Sequence, residues 1–482
     1  MNKLLLLLPL LLLACRPVGP TYLTPSQSLP GAYAMNSGAS LLAPHWWETL
    51  GDPQLNGLVL QAIARSPDLR IAEARLRQSR ALLGIQDASG GLQVGLGGQV
   101  SKDRLSPNSE MLANLPFKGV KTEFTNHQIA FDASWDIDLF GHNRRLSEAA
   151  QARTEASEER LRDAGLVLSA EVARNYLDYR LGQQRLALAL ENLKNHEEQL
   201  RLTALQAKAG EITSLELQRI GTSRRTYEAS LADLRVSLNQ SLAALATLTD
   251  LPLATLEAQL GTALLPAMPE APAAGLPSEL LKHRPDVRAA ERELAAASAD
   301  VGVAMADRYP RFSLVGTGGW ASIQSGTLLD SASRMWSVGP QVHLPIFTSG
   351  RQQNQVKANE AALDAASAGY RKAVLGALAD VEVALSRVAR SEERHRNLQE
   401  AGLQQRRLAA MTELQWKAGE VSMVPLLEAR RGLLAQEDLV LQARGQSLSA
   451  LVSLCKSLGG GWSSQSAASP SLQSVMPSVH RE

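Results

Sequence analysis

The sequence predicts a mainly α-helical chain with transmembrane β-strands, in which one unit is written twice. Three observations carry this: two long proline-free stretches of helix formers, an alternating strand pattern just before each, and landmarks that recur at constant spacing. Composition agrees. Of 482 residues, 45% are hydrophobic, 20% charged and only 4% aromatic; the chain is too apolar for disorder, and helices packed through Ala and Leu need few large rings. The 49 Lys and Arg nearly balance 48 Asp and Glu. The basic footprint that collects phosphates is missing, so no nucleic acid is expected as a partner.

The chain opens with Met1-Asn2-Lys3 and an apolar run from Leu4 to Leu13 broken only by Pro9. About ten residues cannot span a bilayer, so residues 1–14 read as a signal peptide. Its end, Leu12-Leu13-Ala14-Cys15, resembles the bacterial lipobox and makes Cys15 the expected lipidated N-terminus. An ordinary secretory signal cut elsewhere is the alternative. Arg16, not Asp, follows the cysteine, so residues 15–50 are expected to form a lipid-anchored segment at the outer membrane. An acylated Cys15 leaves Cys455 without a disulfide partner; among Leu451, Val452, Leu454 and Leu458 it reads as buried core.

Beyond the anchor, Ser66-Pro67-Asp68-Leu69-Arg70 recurs 218 residues later as Arg284-Pro285-Asp286-Val287-Arg288. Leu139-Phe140-Gly141 matches Ile346-Phe347 followed, two residues late, by Gly350-Arg351, and Lys208-Ala209-Gly210-Glu211 matches Lys417-Ala418-Gly419-Glu420. Gly141 and Gly210 are 69 residues apart, as are Gly350 and Gly419. A fixed internal length and a period near 210 residues indicate a duplicated domain-sized unit. The first repeat is expected over 51–265 and the second over 278–460, with Pro-rich 266–277 as linker and Ser/Pro-rich 461–482 as a disordered tail.

Between the glycines of each copy the composition is helical, with no proline from Arg144 to Ala209. Leu186, Leu190, Leu193, Glu197, Leu200, Ala204 and Ala207 step by four and three, as do Val374, Leu378, Val381, Leu385 and Val388. That is coiled-coil spacing. About 66 residues make a rod of about 100 Å. Gly210 and Gly419 stop these helices, and the patterns Leu215–Leu248 and Val424–Leu458 return as antiparallel partners.

Strands are expected at about 91–104, 127–140, 311–324 and 335–347. The clearest runs Ile129, Phe131, Ala133, Trp135, Ile137, Leu139 against Ala130, Asp132, Ser134, Asp136, Asp138, Phe140, one face lipid-like and the other acidic. Four strands cannot close a barrel, and open edges in lipid leave backbone groups unpaired, so other copies of the chain are expected to complete the wall. Asp132, Asp136 and Asp138 then line a water-filled lumen; a solvated face of an ordinary sheet is the alternative.

The repeat plan, Trp46-Trp47-x-x-Leu50-x-Asp52-Pro53-x-Leu55, Arg284-Pro285-Asp286, Arg308-Tyr309-Pro310 and the Gly419 turn leading to Leu426-Leu427-Glu428-Ala429-Arg430 together resemble the TolC-like outer membrane factors, most closely the NodT-type lipoproteins of tripartite efflux systems. The resemblance covers about residues 15–460. It implies a homotrimer whose protomers give four strands each to one twelve-stranded outer-membrane barrel, continued by a periplasmic helical barrel. It also implies a periplasmic membrane fusion (adaptor) protein and an inner-membrane efflux transporter as partners, beside outer-membrane lipid. Ala209, Gly210, Glu211, Ala418, Gly419 and Glu420 become the periplasmic tips where the adaptor docks, although the glycines need only permit a helix end. Glu428 and Arg430 fall at the aperture gate, where a second acidic position of the family is Pro425 here. A solvent-facing Glu428 paired with Arg431 or Lys417 stays open beside that reading.

No HExxH, GxSxG, phosphate-cradling loop or CxxC is present, and the eight histidines are scattered. No enzyme activity, cofactor or metal is expected. The implied function is a passive exit duct for small molecules. The same fold in type I protein secretion, or an anchored coiled-coil spacer without a pore, are the alternatives.

Overall fold

The computed structural model describes residues 17–26, 29–34, 45–106, 122–272, 274–275, 277–278 and 283–460. Cys15, the signal peptide and the tail 461–482 lie outside the described residues. The elements run α1 (Pro53–Arg65), α2 (Pro67–Ser89), β1 (Gln93–Arg104), β2 (Glu123–Ile137), α3 (His142–Lys208), α4 (Ser214–Thr249), α5 (Leu253–Leu260), α6 (Pro285–Ala306), β3 (Arg311–Ser322), β4 (Arg334–His343), α7 (Arg351–Lys417) and α8 (Met423–Ser457). Two compact units form: Met1–Ser26, Leu76–Ser157 and Ala290–Tyr370 in the first; Gln27–Arg75, Glu158–Ala289 and Arg371–Glu482 in the second.

The internal repetition is visible in the elements themselves. Helices α2 and α6 start at Pro67 and Pro285, where a proline's missing N–H costs nothing. Helices α3 and α7 each have 67 residues, and α4 and α8 have 36 and 35. None of the described helices is long and apolar enough to cross a membrane.

The first unit holds one antiparallel sheet in the order β1-β2-β3-β4. Its strands differ at their ends from the expected spans. β2 begins at Glu123, because Glu123 to Gln128 continue the ladder opposite Gln99 to Arg104. It stops at Ile137, short of 140, where Phe140 leaves the ladder to stack on Tyr309 at 4.8 Å. β4 ends at His343, short of 347, with Pro345 unable to donate to a ladder. An N-terminal strap packs beside the sheet's helices. Val18 donates its N–H to Phe140 O at 3.0 Å, the buried Arg145 donates to Val18 O at 3.2 Å, and Tyr22 and Thr24 donate to Glu291 at 3.1 and 3.0 Å. Gly141, at φ 81°, is close to Pro17: a Cβ there would stand 2.6 Å from that ring.

The second unit holds the main apolar core, with Trp46, Trp47, Leu50 and Leu55 against Tyr176, Leu245, Leu448 and Cys455. The Trp-Trp motif is thereby explained as packing. Its Asp52 caps α1, accepting the N–H groups of Gln54 and Leu55, and accepts the Tyr176 hydroxyl at 2.6 Å. Burial, together with that bond, pushes the Tyr176 phenol up to about 12. Arg180, fully buried, donates to the Leu260 and Gly261 carbonyls at 2.9 and 3.0 Å, satisfying the end of α5. Arg284 does similar work for the repeat motif. It grips Asp286 bidentately at 3.0 and 2.7 Å, reaches Asp380 at 3.1 Å, and donates to Ser457 O at 3.1 Å where α8 ends.

In this unit α3 and α4 form an antiparallel hairpin: the His196 ring stacks on Tyr227 at 4.9 Å, while Gly182 lies against Leu238 and Gly221 against Leu200. Helices α7 and α8 repeat it, with Arg406 on Glu437 at 2.8 Å and Arg430 on Glu413 at 3.4 Å. The buried seam of α3 differs from the expected leucine positions. It runs Ala189, Asn192, His196, Gln199, Thr203, the same alternation of three and four shifted to polar residues.

Candidate functional site: a two-faced sheet and two glycine tips

Register settles which side chains share a face. Phe131 pairs with Leu96 and Gly318, which pairs with Trp336; Ala133 pairs with Val94 and Gly316, which pairs with Val338; Trp135 pairs with Leu314, and Ile137 with Phe312. These residues form one apolar face, and it is uncovered, with Leu96 64% and Trp336 80% exposed. An apolar face this continuous is not left to water. On the opposite face stand Gln93, Gln99, Ser101, Asp132, Ser134 and Asp136 with their partners Thr317, Ser313, Ser337 and Gln341. Among the described residues the edge strands β1 and β4 have no further strand beside them.

Asp132 and Asp136 are therefore exposed on the polar face, with Thr317 donating to Asp132 at 2.8 Å. Asp138 stands apart from them, in the turn beyond β2, where its carboxylate accepts the Arg144 N–H at 2.9 Å at the start of α3. Gly319 permits the tight β2–β3 approach: a Cβ there would lie 2.1 Å from Ile129 O.

The two tips are built alike. Gly210 and Gly419 have φ of 76° and 78°. In each, the glycine N–H reaches the carbonyl three residues back (Ala207, Trp416) and the next N–H the carbonyl five back (Gln206, Gln415), which is the Schellman arrangement. Ala209, Gly210, Glu211, Ala418, Gly419 and Glu420 are all exposed. The αL backbone alone demands glycine, since a Cβ at either position would meet nothing within 4 Å.

Glu428 lies exposed on α8, while Arg430 is half-buried and donates to Glu413. Lys417 is engaged by Glu413 at 3.0 Å, which accounts for one of the partners considered for Glu428. The pKa of Arg219 on α4 is raised by its hydrogen bond to Glu216 and by the charge of that carboxylate, with the charge of Glu428 contributing least. Two features were missed in the sequence. The polar seam escapes a search for apolar residues, and the Arg219–Glu428 relation becomes visible only when the two tips are superimposed by their glycines.

A sheet with one lipid-compatible and one aqueous face, in a chain whose helices fold back at twin glycine tips, defines an outer-membrane channel subunit. The family model described as outer membrane efflux protein matches residues 58–250 and 276–460. Outer membrane protein OprJ of Pseudomonas aeruginosa is 32% identical over 470 residues, 95% of each chain. The probable outer membrane lipoprotein SilC of Salmonella typhimurium is 27% identical over 467 residues, 94% of this chain and 97% of SilC. The solved structure of the outer-membrane channel OprN superimposes with a TM-score of 0.82 at 33% identity, covering 92% of this chain and 99% of that one. The chain belongs to the outer membrane efflux protein family. It has the TolC-like fold and is an outer-membrane efflux channel component.

Proposed function

We propose that three copies of the chain join their open sheet edges into one twelve-stranded barrel and form a passive duct, with energy supplied by an inner-membrane transporter reached through a periplasmic adaptor. The observation that carries this is the two-faced sheet with two unpaired edges, which satisfies its backbone in lipid only when closed by other copies. In this reading Asp132 and Asp136 line the lumen, and Asp138 serves the strand–helix junction. The tip residues Ala209, Gly210, Glu211, Ala418, Gly419 and Glu420 dock the adaptor; their exposure and the absence of large side chains support close approach of a partner helix. Glu428 and Arg430 form the aperture, acting with Arg219 and Glu413. Cys15 carries the lipid. Support comes from Pro17, two residues on, which is packed against Gly141 where β2 passes into α3. The duct performs no catalysis and needs no cofactor.

The test is native mass measurement of the detergent-solubilised mature protein with single-channel recording in a planar bilayer. A trimer with a discrete conductance supports the duct. A folded monomer without conductance rejects it.

A further inference from the structure

The two repeats differ at one equivalent junction. In the first, the turn from β2 into α3 carries Asp138, whose carboxylate accepts the Arg144 N–H at 2.9 Å and places a negative charge at the helix start. In the second, the turn from β4 into α7 contains no acidic residue: His343 is followed by Leu344-Pro345-Ile346-Phe347-Thr348-Ser349-Gly350-Arg351. This turn, residues 344–350, is three residues longer than residues 138–141 of the first repeat and holds Ser349 at φ 51° and Gly350 at φ 81°, a strained path for a serine.

A cleft of about 460 Å³ opens there, lined by Tyr309, Arg311, His343, Arg351 and Gln355, with Asp307 as its acid. Asp307 is already engaged. His142 Nδ1 lies 3.0 Å from it and Arg311 donates to it at 2.5 Å; although burial works the other way, these hydrogen bonds hold its carboxyl below the usual range. Arg351 has no side-chain hydrogen bond or ion pair among the described residues, and it is exposed. Arg311 and His343 face each other across β3 and β4 on the same side of the sheet as Ser313, Thr317 and Asp132.

We propose that this cleft is an oxyanion-binding site on the polar face, in which Arg351, Arg311 and His343 take the carboxylate or phosphate group of a small ligand into the seat that Asp138 fills in the first repeat. Guanidinium groups match both anions through paired N–H donors. The site stands on this geometry alone. Its service to cargo in transit rests on the duct reading, and binding in detergent is scored whether or not the channel conducts.

The experiment is isothermal titration of the full chain in detergent with citrate and, separately, inorganic phosphate. Wild type is expected to bind at least one of them. Arg351→Gln weakens that binding about fivefold, the scale of one exposed charge pair, and Arg351→Lys recovers part of it. Thr348→Asp, which supplies an internal carboxylate, abolishes it. Arg390→Gln, on a helix surface where Arg390 pairs with Glu393, leaves it unchanged. Circular dichroism confirms that each variant is folded. Wild type binding neither anion, or Arg351→Gln and Thr348→Asp binding like wild type, overturns the proposal.

Discussion

Arg219 and Glu428 occupy equivalent places in the two hairpins, each nine residues beyond its tip glycine, and carry opposite charges, the Glu428 carboxylate adding slightly to the raised pKa of an Arg219 held mainly by Glu216. The duplication has thus diverged into a complementary pair. Glu428→Arg is expected to turn this attraction into repulsion and loosen the tip region, raising open probability about two- to fivefold, the range for an exposed pair. Single-channel recording reads it. The double variant Arg219→Glu with Glu428→Arg is expected to return toward wild type.

Glycine is required at three of these places for two different reasons. Gly210→Ala and Gly419→Ala meet no atoms, so each costs only the left-handed backbone, about 1 kcal/mol. Gly319→Ala drives a methyl into the β2 backbone at Ile129 and Ala130. It is expected to block strand pairing, seen as loss of heat-resistant oligomer on gels while the tip variants keep it.

Arg284→Met removes a buried guanidinium that holds Asp286, Asp380 and the end of α8. Because both aspartates are partly exposed, the expected loss is about 2–4 kcal/mol, at or below that of a fully buried pair. Arg284→Lys does not restore it, since an ammonium cannot make the bidentate contact. Thermal melting followed by far-ultraviolet circular dichroism compares the variants.

Burial first, and then the nearby Arg431 charge, lower the pKa of His196 in the polar seam, where Tyr227 stacks on the ring. The unfolded chain therefore binds a proton more readily. The stability from the neutral ring is complete above the unfolded value near 6.5 and is lost as pH falls through the depressed folded value. Protection factors for hydrogen exchange over Asn192–Thr203, corrected for the intrinsic pH dependence of exchange, are expected to fall on acidification, and His196→Gln to flatten that response.

The long helices and their tips were legible because two signals agreed, absence of proline and equal spacing between glycines. The lipid-facing run Phe131, Ala133, Trp135, Ile137 was legible through its period of two. Strand β2 ended short of residue 140 because Phe140 is drawn to Tyr309, a contact between residues distant in sequence. The seam through Asn192, His196 and Gln199 was illegible for a different reason: leucines nearby offered the same spacing, and only packing decides which set turns inward. Arg284 was visible as part of the Arg284-Pro285-Asp286 motif, and its hold on Asp380 and Ser457 was not.

The N-terminal strap also bears on the order of events during synthesis. Tyr22 binds Glu291, 269 residues downstream, and Gly19 lies against Gly302. While the first repeat emerges, these partners do not yet exist. The strap around Tyr22 stays undocked until the second repeat has folded, and closing so long a loop carries an entropic cost that local hairpins avoid. The strap is thus among the last parts to find its place, and once docked it marks a completed protomer.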